Sequence, residues 1–254
     1  MAASPGHGTV IDAVGAPTEG TETRFGVPGS ALFGQAATAS GDGAANSSYD
    51  SFASLGGGVL MVNMMLGEVA PGGADSGLYG LVVMALLAVF LGGLMVGTTP
   101  EYLRKWLQSR QMKLVSLYIL TVPTVILIGC AVAMALPAQR ASMLNTGPHC
   151  LSEVLYAFTS SAVDNGSAFA GFSGNTPWYN VALAMVMGRF IPMVLVLALA
   201  GSFAVQRPGV VTSGTLRTYQ PVFVVLIVAV PLIMVGLEYL PSLALGPLAN
   251  QGQG

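Results

Sequence analysis

The fold is decided by an uncharged stretch, LYGLVVMALLAVFLGGLMV, which runs from Leu78 to Val96. A helix needs about 20 apolar residues to cross the hydrocarbon core of a bilayer, and this stretch is long enough. Three more apolar stretches of sufficient length follow along the chain, at residues 114–136, 178–205 and 219–237, and the second of these contains one charge. We therefore expect an all-α polytopic membrane protein with four transmembrane helices.

The composition of the whole chain agrees with a bilayer environment. Of its 254 residues, 53% are hydrophobic and 8% are charged, whereas about a quarter of the residues of a soluble domain are charged. The net charge of −2 offers no basic surface, so nucleic acid is excluded as a partner. The two cysteines, Cys130 and Cys150, have no metal-ligand spacing, and we expect no disulfide framework.

The basic residues predict how the helices are oriented in the membrane. Lysine and arginine accumulate in cytoplasmic loops. Six of them flank the predicted spans on one side and mark it as cytoplasmic: Arg104, Lys105, Arg110, Lys113, Arg207 and Arg217. Apart from Glu101, the acidic residues fall on or near the other side, where they would raise the local concentration of cations.

Two glycine-rich segments on the outer side, residues 25–51 and 152–172, are apolar but too short to span. At an offset of 123 residues they align, with Gly43 opposite Gly166. A short helix followed by a glycine-rich strand can enter a membrane protein and turn its carbonyl oxygens toward a dehydrated cation. We expect two re-entrant pore-helix/filter loops. The alternative is two surface loops whose similarity is due to chance.

Longer motifs resemble a known family. They are RFG at 24–26, DSFASLGG at 50–57, GLMVGTTPEYL at 93–103 and GPHCLSEVLYAFTSSAVDNGSAFAG at 147–171. Together they resemble the C-terminal part, from the third filter loop onward, of the potassium-binding A subunit of the Kdp-type potassium-transporting ATPase. Two positions depart from that family's pattern: Thr98 replaces a basic residue and Tyr49 a histidine.

The resemblance implies a function and a set of site residues. Backbone carbonyls of two filter strands would bind a potassium ion, the only cofactor expected: Gly41, Asp42 and Gly43 in the third repeat, and Asp164, Asn165 and Gly166 in the fourth. The subunit would select external potassium in the cell (inner) membrane. Its implied partners are an ATP-hydrolysing P-type ATPase subunit and an accessory membrane subunit. The chain itself would not hydrolyse ATP, since it has no phosphate-binding Gly-Lys motif and no DKTGT-type loop.

The resemblance also predicts a domain organisation. Residues 1–23 form a flexible loop, 24–113 a partial third repeat, 114–205 the fourth repeat, and 206–254 the last transmembrane helix and tail. Two filter strands cannot close a ring of four, so we expect the N-terminal half of the pore to be supplied elsewhere. Two alternatives stay open: a stand-alone potassium channel or symporter subunit of the pore-loop superfamily, and an inactive truncated fragment.

Arg189 is the one charged residue within a predicted span, about 17 Å along the helix and thus near the middle of the bilayer. A charge at that depth usually faces the bundle interior or an ion path. Arg189 could therefore set the electrostatics of an ion path, or it could form a structural ion pair.

His149 and Glu153 are four residues apart, a spacing that suits metal or catalytic ligands on a helix. We expect a structural role instead, with Ser152 as the N-cap and Glu153 in the first turn of a helix. A membrane enzyme built on this pair would need a third ligand, and the sequence identifies none.

Overall fold

The computed structural model describes residues 20, 21, 24–67, 77–97, 99–141, 143, 145–169, 173, 175, 182–209 and 220–251. Most of the predicted N-terminal loop therefore lies outside the described residues, as do Thr98 and Arg217. Within the described part the chain is almost entirely helical. The helices are α1 (Gly26–Ser40), α2 (Ser54–Gly67), α3 (Gly77–Val96), α4 (Ser109–Ala135), α5 (Pro137–Arg140), α6 (Pro148–Ala162), α7 (Ala182–Ala204), α8 (Pro221–Leu243) and α9 (Ala249–Gln251).

Four helices are long and apolar enough to cross a membrane, which confirms the predicted number of spans. They correspond to α3, α4, α7 and α8, the last continued by a π-helical turn, Ala244–Leu248. Two spans extend beyond the predicted bounds, because a helix continues past its apolar centre until a residue caps it. The helix α4 begins at Ser109, where Gln108 and Gln111 form a capping box.

Among the described residues, the basic ones of the two predicted cytoplasmic loops lie at one end of the bundle. Strands β1 (Glu101–Tyr102) and β2 (Lys105–Trp106) form an antiparallel hairpin between α3 and α4. The Gly209 backbone N–H, beyond the end of α7, donates to the Arg104 carbonyl at 2.7 Å, and Lys105 Nζ donates to the Phe203 carbonyl. The helix α4 has 27 residues and leads about 40 Å away from this hairpin.

The helix α6 is too short to span but lies inside the bundle. Every residue from 152 to 162 is buried, and the helix packs against α2, α4 and α7. Its aromatic side chains Tyr156 and Phe158 join one core cluster with Met61 and Met64 of α2. Cys130 packs in the same core cluster.

Glycines let the neighbouring helices come close to α6. A Cβ on Gly129 of α4 would lie 2.6 Å from the Phe158 ring, and a Cβ on Gly188 of α7 would lie 2.3 Å from the Ala162 carbonyl oxygen. The second contact involves backbone, which cannot rotate away as a side chain can. The last turn of α6 therefore meets α7 about 9 Å along that helix from Ala182.

This contact predicts that Gly188→Ala destabilises the protein. We expect a loss of about 1–3 kcal/mol in the free energy of unfolding, because the methyl group overpacks a backbone contact. The measurement is the thermal unfolding midpoint of the detergent-purified protein. Gly201→Ala is the matched control, since it lies in the same helix with nothing within 4 Å of the added Cβ. Equal midpoints for the two variants would contradict the close packing of α6 against α7.

Candidate ion-binding site

The two predicted filter segments have matching backbone conformations. After α1 the chain turns left-handed at Gly41 (φ 69°) and again at Gly43 (φ 69°). After α6 it does so at Asp164 (φ 59°) and Gly166 (φ 87°). Each position in the first loop lies 123 residues before its counterpart in the second, which is the offset that aligns the sequences. The two helix–loop units thus share a conformation as well as a composition.

The two loops contact each other. A Cβ on Gly43 would lie 2.3 Å from the Asn165 carbonyl oxygen. The Asn165 side chain is 4% exposed, and its Nδ2 donates to the Ala37 carbonyl in the last turn of α1 at 3.0 Å. Candidate residues from both repeats are therefore brought to one place. Asp42 differs, because its side chain is exposed and its Oδ1 accepts from the Ala44 N–H at 3.0 Å to close an Asx turn.

Each loop is hydrogen-bonded to a buried tyrosine. The Tyr49 hydroxyl donates to the Ala44 carbonyl at 2.9 Å, and the Tyr156 hydroxyl is hydrogen-bonded to Ser167 Oγ at 2.8 Å. Burial raises the pKa of both phenols, so both stay neutral donors or acceptors. No sequence pattern predicted a role for Tyr156. The residue type could have indicated one, because a tyrosine hydroxyl in an apolar helix needs a hydrogen-bond partner when it is buried.

Arg189 lies beside the second loop. Its Nη1 is 3.3 Å from Asp164 Oδ2, and the two side chains are 17% and 40% exposed. Asp164 is one of the few residue types other than glycine that adopt the left-handed conformation at modest cost. Of the two roles predicted for Arg189, the structure contains the ion pair, and the carboxylate in that pair belongs to a candidate filter residue.

The C-terminal ends of α1 and α6 lead directly into the two loops. The end of a helix carries about half a negative charge from its free carbonyls, and neither helix has a basic residue in its last turn. The Ser160 carbonyl accepts from the Asn165 N–H at 2.8 Å and the Gly166 N–H at 3.4 Å, which folds the second loop back over its helix. Both helix ends therefore favour a cation at the loops.

A second polar cluster joins the 3₁₀ turn Tyr49–Ser51 to the start of α6. His149 Nε2 donates to Asp50 Oδ1 at 2.6 Å. Asn145 Nδ2 donates to Asp50 Oδ2 at 3.1 Å and also to Glu153 Oε1. The hydrogen bond to Asp50 raises the pKa of His149, while burial raises the pKa of Glu153 to about 7.

This cluster corrects two expectations. The helix α6 begins at Pro148 after the N-cap Gly147, so Ser152 is not an N-cap and Glu153 lies beyond the first turn. Proline is favoured in the first turn because it has no N–H to leave unpaired there. The third group that the sequence did not identify is Asp50, which is 99 residues before His149 in the chain.

Comparison with known proteins identifies the family. A family model described as the potassium-transporting ATPase A subunit, KdpA, matches residues 1–251. The chain belongs to this family. Among its relatives it is similar to the potassium-transporting ATPase potassium-binding subunits of Frankia alni, with 61% identity over 96% of this chain and 42% of the relative, and of Mycobacterium avium, with 59% identity over 96% and 44%. The Clavibacter michiganensis subunit is 55% identical over 96% and 45%.

The chain thus spans less than half the length of these KdpA relatives. Family membership agrees with the resemblance found in the sequence motifs.

The contact between the loops predicts different costs for two equivalent glycines. Gly43→Ala imposes both a left-handed alanine and a clash with the Asn165 carbonyl, whereas Gly166→Ala imposes the left-handed conformation alone, because nothing lies within 4 Å of the added Cβ. A left-handed alanine costs about 1–2 kcal/mol, and we expect the clash to add about 1–3 kcal/mol. Thermal unfolding of the purified protein measures the difference. A Gly43→Ala variant as stable as Gly166→Ala would show that the loops do not touch.

Proposed function

We propose that this chain provides two filter repeats of a potassium-binding subunit in an ATP-driven potassium uptake complex. The carbonyl groups at Gly41, Asp42 and Gly43, and at Asp164, Asn165 and Gly166, bind potassium that arrives from outside the cell. The observation that carries the proposal is the matched left-handed backbone of two loops in mutual contact.

The chemistry of the loops suits a dehydrated monovalent cation. Rings of backbone carbonyls replace the hydration shell of such an ion. The helix ends at Ser40 and Ala162 add negative potential without a basic residue to cancel it. Asp42 and Asp164 keep partly exposed carboxylates beside the loops, and these raise the local concentration of cations before dehydration.

The depth of the second loop supports a re-entrant path. Non-helical backbone at membrane depth has to be buried in protein or line a water-filled cavity. The end of α6 meets α7 at Gly188, inside that spanning helix, and the Asn165 side chain is buried. In this arrangement Arg189 places a fixed positive charge at the lower edge of the loop, where it limits how far a cation descends while it is paired with Asp164.

The other half of the pore and the ATP-hydrolysing subunit lie outside this chain. The relatives named as potassium-binding subunits are more than twice as long, so the proposal assigns the other half of the pore to additional N-terminal sequence. ATP hydrolysis belongs to a P-type ATPase subunit, and an accessory membrane subunit completes the complex in the cell (inner) membrane. The chain contributes ion binding and passage, without hydrolysis.

The proposal predicts that Gly166→Ala weakens potassium uptake. The full-length subunit carrying this sequence is co-expressed with its ATPase and accessory subunits in a bacterial host that lacks its own potassium uptake. Uptake of rubidium at low external potassium gives KM. We expect KM to rise about tenfold, equivalent to about 1.4 kcal/mol, because the methyl group opposes the left-handed strand. Gly166→Asp should cost more.

Gly97→Ala is the matched control. Gly97 is also left-handed (φ 72°) with nothing within 4 Å of an added Cβ, but it lies at the end of α3, away from both loops. Its KM should stay near that of the unmodified complex. Unchanged KM in Gly166→Ala would refute the assignment of this residue. Uptake that persists without the ATPase subunit would indicate a channel instead of a pump subunit.

A further inference from the structure

We propose that Asp50, His149 and Glu153 form a binding site for a first-row divalent metal cation such as Zn²⁺. The site lies where the 3₁₀ turn Tyr49–Ser51 meets the beginning of α6, at the end of α4 opposite the basic hairpin. It is separate from the two loops, and the inference does not rest on the potassium proposal.

The three side chains supply a set of ligands from two distant parts of the chain. Each offers one ligand atom, and these atoms all lie within 4.8 Å of one another. Imidazole nitrogen and carboxylate oxygen bind Zn²⁺ at about 2.0–2.2 Å. The ion takes the place of the proton now held between His149 Nε2 and Asp50 Oδ1. The ring keeps one proton, on Nδ1, and an imidazolium releases its second proton to solvent, so that His149 binds as a neutral ligand.

Asn145 orients both carboxylates toward the same point. Its Nδ2 donates to Asp50 Oδ2 and to Glu153 Oε1. Asn145 therefore holds one oxygen of each carboxylate. Of the other two oxygens, Glu153 Oε2 has no partner among the described residues, and Asp50 Oδ1 accepts from His149. Hydrogen bonds from an outer shell of this kind hold first-shell ligands in the direction that the metal requires.

Glu153 supplies an independent indication of a missing partner. The residue is 0% exposed, and among the described residues its Oε2 has no hydrogen-bond partner. Leaving a buried acceptor unpaired costs free energy of folding, and it costs more if the group is charged. A cation bound at Oε2 removes that cost and neutralises the carboxylate where water cannot reach it.

Charge and access determine the class of cation. Two carboxylates and a neutral imidazole give the site a charge of −2, which a divalent ion balances. The imidazole favours Zn²⁺, Ni²⁺ or Cu²⁺ over Mg²⁺ and Ca²⁺, which prefer oxygen ligands alone. The His149 and Asp50 side chains are 19% and 20% exposed, so an ion can enter from solvent on their side.

The test is zinc binding to the detergent-purified complex containing the full-length subunit. After treatment with a chelator, isothermal titration with Zn²⁺ should give one site per subunit. Asp50→Asn and Glu153→Gln keep the shape of each side chain but remove the negative charge, and each should weaken binding by at least about tenfold. Glu101→Gln is the control, because it removes a carboxylate in the hairpin, outside the cluster and both loops, and should leave zinc affinity unchanged.

A wild-type complex that takes up no zinc, or variants that bind as the wild type does, would overturn the site. A second measurement needs no variant. X-ray absorption at the zinc edge should show nitrogen and oxygen ligands at about 2.0–2.2 Å, including an imidazole. A sulfur ligand at about 2.3 Å would assign the zinc to a cysteine such as the neighbouring Cys150, and would also overturn the proposal.

Discussion

The close approach of α7 to the last carbonyl of α6 is the contact on which the candidate site depends. Gly188 has no side chain, so the Ala162 carbonyl can lie where a Cβ would otherwise be. The next residue, Arg189, then reaches Asp164 in the loop that follows α6. After Asp164 the loop folds back over α6. Asn165 then donates a hydrogen bond to α1, and its carbonyl oxygen lies against Gly43. A single glycine thus allows two repeats to meet.

Irregular backbone inside an apolar bundle is stable only if its polar groups find partners. Here the partners are residues of the two loops and of the helices that pack around them. Ser160 accepts two N–H groups of the second loop, Asn165 donates to α1, and Tyr49 and Tyr156 each hydrogen-bond a residue of one loop. The tyrosine rings lie 6.2 Å apart in the same core cluster, so the two loops are held by a common set of buried side chains.

Much of the fold could be predicted because its features are local in sequence. Hydrophobic length alone identifies four spans, since a helix in lipid satisfies its own backbone. The repeat offset identified Gly43 and Gly166, because a left-handed position favours glycine in any context. The predicted start of α6 was wrong by five residues, because Ser152 is a good N-cap in isolation but Pro148 already begins the helix. Both residues favour the start of a helix, and the helix begins at the one that comes first in the chain.

By itself the sequence determined that the chain is a helical membrane protein with two similar glycine-rich loops, because hydropathy and glycine content act residue by residue. Only the tertiary structure decided which side chains meet. Asp50 and His149 are 99 residues apart in the chain, yet they share a hydrogen bond. Asn165 and Ala37 are separated by 128 residues and also bond to each other. Such pairs depend on how helices pack in three dimensions, and no local pattern along one chain records that packing.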